Sequence, residues 1–176
     1  TRILLHNVGG IGFIANERSR ETMKMERLKN LSIKHSVDLV CLIEVNKDWR
    51  MVKEDHTIWN GTKGWRKYRR VQTSFNKTKP PTREYKLGGT AMVGFDNLAF
   101  HITAQEEDSW LLGRWSTITI TGKNELKTTI ITCYCPVVSN STGSAYAQQL
   151  VYMSEHRNKI ADRIQCPRQL FGDDLR

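Results

Sequence analysis

Several features that would assign this chain to a special class are missing. No apolar run reaches the roughly 18–20 residues of a bilayer-spanning helix, and no basic-then-apolar leader opens the chain. Twelve Gly and four Pro in 176 residues are too few for a linker or a collagen-like chain. Cysteine is scarce too: there are four, and none forms a C-x-x-C. Cys41 sits in an apolar run, Cys133 and Cys135 share one face of a strand-like stretch, and Cys166 stands alone before Pro167. That spacing indicates neither a disulfide framework nor a structural zinc site, and a reducing, intracellular compartment is the expectation. Locally, the largest deficit is of negative charge. Between Gly61 and Lys86 the single acid is Glu84, against nine basic residues: Lys63, Arg66, Lys67, Arg69, Arg70, Lys77, Lys79, Arg83 and Lys86. This window supplies +8 of the chain's net +9.

The remaining composition is that of a globular protein, 39% hydrophobic and 26% charged. The length suits one domain, residues 1–176, with a basic insertion at about 61–86. The chain begins without Met, inside a strand-like run, and is expected to be a piece excised from a longer protein. A concentrated basic stretch suits a polyanion, of which nucleic acid is the commonest. Trp65, Tyr68, Phe75 and Tyr85 are interleaved with the charges and have the faces to stack on bases. The plainer reading of the same stretch is a solubilising loop.

Apolar patterning predicts a β-α-β start: a strand over Arg2–Asn7, an amphipathic helix over Glu17–His35 with Met25, Leu28, Leu31 and His35 near one face, and a buried strand over Asp38–Ile43. Strands follow at Trp65–Thr73, Thr90–Phe95 and Leu98–Thr103, the last two as a hairpin turning at Asp96–Asn97. Trp115–Thr121 alternates, and Lys127–Tyr134 returns beside it. Ser144 caps a helix whose stripe is Tyr146, Leu150, Met153, Ile160 and Ile164, and Gln169–Phe171 reads as a last short strand. Strands central and helices outside make an α/β protein.

Four apolar runs end in polar residues: Leu4-Leu5-His6-Asn7, Cys41-Leu42-Ile43-Glu44, Thr132-Cys133-Tyr134-Cys135-Pro136 and Leu170-Phe171-Gly172-Asp173. A carboxylate directly after a buried strand is costly to desolvate unless it is paired or binds a cation. Glu44 and Asp173, with the Asn7 amide, suit a hard cation such as Mg²⁺. Taken singly, each is also an ordinary strand-end turn residue.

The order LLHN, DLVCLIE, GGTAMV, ITCYCP, Tyr146-x-x-Gln149 and FGDD resembles the endonuclease/exonuclease/phosphatase family, the DNase I-like and apurinic-endonuclease-like group. Gly113-Arg114-Trp115 and the basic middle are most similar to the endonuclease domains of non-LTR retrotransposons. The resemblance implies a four-layer α/β-sandwich, two packed mixed sheets flanked by helices, and metal-dependent hydrolysis of phosphodiester bonds. It implies Mg²⁺ or Mn²⁺ held by Glu44 and supported by Asn7. It implies that Tyr134 hydrogen-bonds the scissile phosphate and that Asp173 orients the attacking water. Lys63, Arg66, Lys67, Arg69, Arg70 and Arg114 are the expected nucleic-acid contacts. The implied partner is nucleic acid, DNA ahead of RNA, with no membrane; the chain is expected as a monomer or as part of a larger reverse-transcriptase polyprotein, nuclear if a retroelement product. Two departures stand out. Gly172-Asp173-Asp174-Leu175 has Leu where the family pattern has an amide, and none of His6, His35, His56, His101 and His156 occupies the place of the family's terminal Asp-His pair. The expectation is therefore a nuclease of impaired activity and an incomplete C-terminus. The alternatives are a non-enzymatic nucleic-acid-binding remnant and a phosphatase acting on a small or lipid phosphate.

Overall fold

The computed structural model describes residues 1–12, 20–78 and 84–155. The chain divides into two compact units, Thr1–Tyr134 and Cys135–Arg176. The first holds strands β1 (Ile3–Asn7), β2 (Leu39–Ile43), β3 (Arg69–Ser74), β4 (Thr90–Phe95), β5 (Ile102–Glu107), β6 (Trp115–Thr121) and β7 (Lys127–Cys133). Its helices are α1 (Arg20–Lys34), α2 (Ile58–Gly61) and α3 (Asp96–His101). In the second unit α4 spans Ala145–Glu155, capped at its start by the Ser144 hydroxyl, which accepts the Ala147 N–H at 3.0 Å. No helix among the described residues is long and apolar enough to cross a membrane.

One sheet has the order β1-β2-β4-β3, with β1 and β2 parallel and the other pairs antiparallel; β5-β6-β7 form a second, antiparallel sheet. The run Leu39-Val-Cys-Leu-Ile43 shows why the sheets stack. Successive side chains of a strand point to opposite faces, and here both faces are apolar. Val40 and Leu42 join Met25 and Leu28 of α1 and Val93 and Phe95 of β4 in one core. Leu39 and Cys41 join Met92, Ile102 and Ile118 in a second core between the sheets. A strand buried on both faces has no polar alternation, which is how a parallel-sheet or sandwich centre reads. On α1 the buried stripe runs through Met25, Leu28 and Ser32, and Leu31 is exposed.

Two expectations are corrected. Leu98–Thr103 is no hairpin partner of β4. Asp96 adopts a φ of +46°, a single short helix buries Leu98 and Ala99, and β5 begins only at Ile102, in the other sheet. Over six residues the spacing of Leu98, Ala99 and Ile102 satisfies a helical period as well as a strand's. The strand expected over Trp65–Thr73 is found, but as β3 it starts only at Arg69, and Trp65 before it is buried in the first core, its ring stacked 6.1 Å from that of Phe95. Phe75 is buried as well, so of the four interleaved aromatics only Tyr68 and Tyr85 are exposed. Ile160, Ile164, Gln169–Phe171 and Asp173 lie outside the described residues.

Candidate active site

The strand register gathers one end of the first unit. Asn7 pairs with Ile43, Ile43 with Thr90, and Thr90 with Ser74, so the C-terminal ends of β1, β2 and β3 meet the start of β4. The Thr90 hydroxyl donates to the Ser116 hydroxyl at 2.9 Å, and both are buried. This bond joins the same end of the first sheet to the start of β6. Tyr134 follows β7, and its N–H donates to the Arg114 carbonyl at 2.7 Å. Asn7, Glu44 and Tyr134, 127 positions apart from first to last (134 − 7), thus lie at one end of the stacked sheets.

The backbone at Glu44 is one of seven places among the described residues where a non-glycine residue takes a positive φ. Glu44 has φ +57° and Asn46 φ +54°, the left-handed region that costs a non-glycine residue about 1–3 kcal/mol. Short hydrogen bonds hold this kink. Gly10 N–H donates to the Glu44 carbonyl at 2.7 Å, Val45 N–H to Gly89 at 3.2 Å, and Asn46 N–H to Gly88 at 2.7 Å. The Asn46 side-chain oxygen accepts the Gly88 N–H in return, at 2.8 Å. The Gly9-Gly10 loop after β1 is therefore the brace of the Glu44 turn. Asn7 shapes that loop, since its Oδ1 accepts the Gly9 N–H at 3.1 Å. Lys24 of α1 reaches the same loop, donating to the Val8 carbonyl at 2.7 Å. Glu44 is half-buried and Asn7 exposed.

Tyr134 and Arg114 pack beneath the glycine pair. The Arg114 guanidinium lies 5.5 Å from the Tyr134 ring centroid, and a Cβ on Gly88 would come within 3.2 Å of that ring. Arg114 itself is buried, beside the buried Asp108. Burial pushes the Asp108 carboxyl above the ordinary range, although N–H groups of Arg114 (2.8 Å) and Trp110 (2.9 Å) and the charge of Arg114 all pull it down. Gly113 is required by geometry: its φ is +72°, and a Cβ there would stand 2.6 Å from the Phe75 Cα.

Strand-end patterning does not single out Asn46, Asp108 or the buried Asp48, whose carboxylate accepts Arg50 Nε at 2.8 Å, Arg50 Nη2 at 2.7 Å and Lys86 Nζ at 3.3 Å. The one sequence signal for Asn46 is the Gly88-Gly89 pair, a tight backbone that needs an outside acceptor. Asp48 has a local one, an Asp-x-Arg spacing.

The basic window does not sit together at this end. Arg69 pairs with Phe95 and Arg70 with Gly94, at the opposite end of β3 from Ser74. Lys77 and Lys86, near the Glu44 end, are ion-paired to Glu107 and Asp48. The arginines brace the fold. Arg66 donates to the Ser32 carbonyl, Arg69 to the Trp59 carbonyl and Arg70 to the Ile102 carbonyl. Lys63 and Lys67 are exposed, and Lys79, Arg83 and Asp173 lie outside the described residues.

No family model and no curated protein matches this chain. Solved structures do. An endonuclease/exonuclease/phosphatase family protein from Leptotrichia buccalis superposes with a TM-score of 0.54 at 16% identity, over 94% of this chain and 63% of that one. A Neisseria 3′ phosphatase bound to a product DNA hairpin gives 0.47 at 13% identity, over 92% and 53%. An AP endonuclease from Archaeoglobus fulgidus gives 0.47 at 16%, over 93% and 52%. The chain spans less than two thirds of the length of these proteins. The likeness establishes the fold: a DNase I-like α/β architecture of two stacked sheets with flanking helices.

Proposed function

We propose that the Asn7–Glu44–Tyr134 end is the catalytic end of a phosphodiester-hydrolysing nuclease of the endonuclease/exonuclease/phosphatase type, with a divalent cation as cofactor and DNA as substrate. The observation that carries it is the strained Glu44 turn. Directly beyond a strand buried on both faces, Glu44 takes a φ of +57°, its carbonyl accepts the Gly10 N–H and its side chain stands half-buried beside the end of β1.

The residues fit Mg²⁺ or Mn²⁺ in one mode and not another. Among the described residues no group of three or more His, Cys, Asp or Glu side chains could cage a metal. Mg²⁺, however, is commonly bound by one or two carboxylates together with waters and substrate phosphates. Glu44 supplies the carboxylate. The Asn7 amide oxygen keeps a lone pair after accepting the Gly9 N–H. The bound cation would neutralise phosphate charge and stabilise the leaving oxygen. Tyr134 donates its phenolic hydrogen bond to the scissile phosphate, and Arg114 fixes the ring from below while adding positive potential. Asp173 orients the attacking water, a role that rests on the family resemblance. The retrotransposon subtype rests on Gly113-Arg114-Trp115, where the glycine lets β6 begin against Phe75 and so seats Arg114 under Tyr134.

Nicking of supercoiled plasmid tests the reading. The parent nicks with Mg²⁺ and not with EDTA, and Glu44→Gln lowers the rate about a hundredfold or more, the size expected for losing one preorganised electrostatic group. Salt-dependent DNA binding with no metal-dependent nicking by the parent overturns it in favour of the binding-only alternative.

A further inference from the structure

At the far end of β3 the surface has a different chemistry. Trp59 is 48% exposed, Tyr68 44% and Phe100 65%. Each of the first two is covered by a cation: the Arg69 guanidinium lies 4.3 Å from the Trp59 ring centroid, and Lys67 Nζ 5.2 Å from that of Tyr68. Tyr68 and Phe100 form a tilted pair, with centroids 4.8 Å apart. Lys63 and Arg70 are exposed on the same stretch. The nearby acid, Asp96, is already engaged, its carboxylate 3.9 Å from Arg66 and accepting the Tyr68 N–H; Glu54 and Asp55 flank α2 on its N-terminal side.

This surface is built rather than incidental. Ile58 anchors α2 in the core, and the Thr57 and Thr62 hydroxyls close its two ends. Arg69 Nε donates to the Trp59 carbonyl at 2.9 Å, which fixes guanidinium and indole together. Rings and cations held in place lose little entropy when a ligand arrives. From the Arg69–Phe95 pair to the Ser74–Thr90 pair is five strand steps, about 17 Å at 3.4 Å per residue, so the surface is separate from the Glu44 end.

We propose that this end of β3, with the exposed rings of Trp59, Tyr68 and Phe100 and the cations Lys63, Lys67 and Arg69, is a platform for single-stranded nucleic acid, the Trp59–Arg69 and Tyr68–Phe100 pairs flanking the strand's start. Duplex bases hide their faces in the stack, whereas an unpaired strand offers them to exposed rings and offers its phosphates to the interleaved cations. An apolar protein partner would have to desolvate the exposed cations Lys63, Lys67 and Arg70, which is unfavourable without matching acids. The proposal takes nucleic acid as the substrate class from the reading above, but it does not depend on hydrolysis. The platform would hold an unpaired segment of the strand while the other end of the sheets works on a phosphodiester.

Fluorescence anisotropy of a labelled oligothymidylate of about 20 nucleotides, titrated with the full chain in EDTA, tests it. Trp59→Ala, and separately the Tyr68→Ala/Phe100→Ala pair, weaken binding about tenfold or more while keeping the salt slope. Lys63→Gln/Lys67→Gln makes that slope shallower by about 0.7 for each phosphate that is no longer neutralised. Trp59→Phe and Tyr68→Phe/Phe100→Tyr retain rings and restore binding, which separates lost stacking from lost folding. Because the titration is made in EDTA and reads binding without nicking, failure of the hydrolytic reading leaves this one standing. The proposal is overturned if the alanine variants bind as tightly as the parent, if they lose only duplex binding, or if anionic phosphatidylserine vesicles bind the surface and the oligonucleotide does not.

Discussion

Gly88 lies so close to Arg114 that a methyl group on its Cα would stand 2.7 Å from the guanidinium Nη1. Its φ of +89° is also one that side chains disfavour. Gly88→Ala should therefore cost about 1–3 kcal/mol, or several degrees of melting temperature at about 2–4 °C per kcal/mol for a chain of this size. Because the clash is with the end of a side chain, Arg114 can shift, and nicking should fall further than stability does. Gly113→Ala meets the Phe75 backbone at 2.6 Å instead and has no such escape. It should lower the melting temperature more than Gly88→Ala. Thermal melts of the two variants side by side check the order.

Glu44 offers a trade between stability and function. Replacing it with Gly removes the left-handed strain of about 1–3 kcal/mol and adds glycine's backbone entropy cost of about 0.5–1 kcal/mol. Glu44→Gly should melt a few degrees above the parent in EDTA. Millimolar Mg²⁺ or Mn²⁺ should raise the parent's melting point, since a ligand at about 100 times its Kd contributes about 2.7 kcal/mol, and should leave Glu44→Gly unmoved. A variant that melts lower in EDTA would show that the turn carries no strain.

The strand-end placement of Asn7, Glu44 and Tyr134 is legible in the sequence because each ends an apolar run, and a switch in polarity at a strand end is a local signal. The strands Thr90–Phe95 and Trp115–Thr121 are legible for the same reason, bounded as expected. Trp65 is not. It is surrounded by basic residues, and the partner that buries it, Phe95, lies thirty positions on (95 − 65). The helix Asp96–His101 is hidden by its own brevity, since Asp96-Asn97 between apolar runs has the composition of a hairpin turn. The location of the basic window is illegible for a different reason: a run of charge says nothing about which end of a strand it occupies.

Asp48 sets an acid-side dependence. Burial by itself would raise its pKa, but hydrogen bonds from Arg50 and Lys86 and the charge of Lys86 more than offset this and hold it below the ordinary carboxylate range. A depressed carboxylate contributes stability above the unfolded-state value of about 3.9 and loses it as pH falls through the lower folded-state value. Asp48→Asn should cost about 2 kcal/mol at pH 7. The gap between parent and variant should narrow below about pH 4 in urea titrations.

The Thr90–Ser116 hydroxyl pair is a buried polar link between the sheets. Thr90→Val leaves the Ser116 hydroxyl without this donor and should cost about 1–3 kcal/mol. Adding Ser116→Ala should recover part of that loss, giving a coupling of about 0.5 kcal/mol or more in a double-mutant cycle of urea midpoints. Strict additivity would mean that the sheets are joined there by apolar packing alone.

The interval from Asn7 to Tyr134 has a consequence for how the protein is made. No short stretch contains a working fraction of this end: β1 must already lie beside β2, and β7 must have closed on β6, before the three side chains share a neighbourhood. Contacts of such long range form late and slowly. During synthesis the chain therefore emerges inert: the bent Glu44 backbone comes under tension once Gly88 and Gly89 close on it, and Tyr134 joins that end only when β7 has paired with β6. Cation response is thereby a reporter of the closed Glu44 turn, and a nascent chain released before Gly88 would carry Glu44 in an ordinary, relaxed conformation.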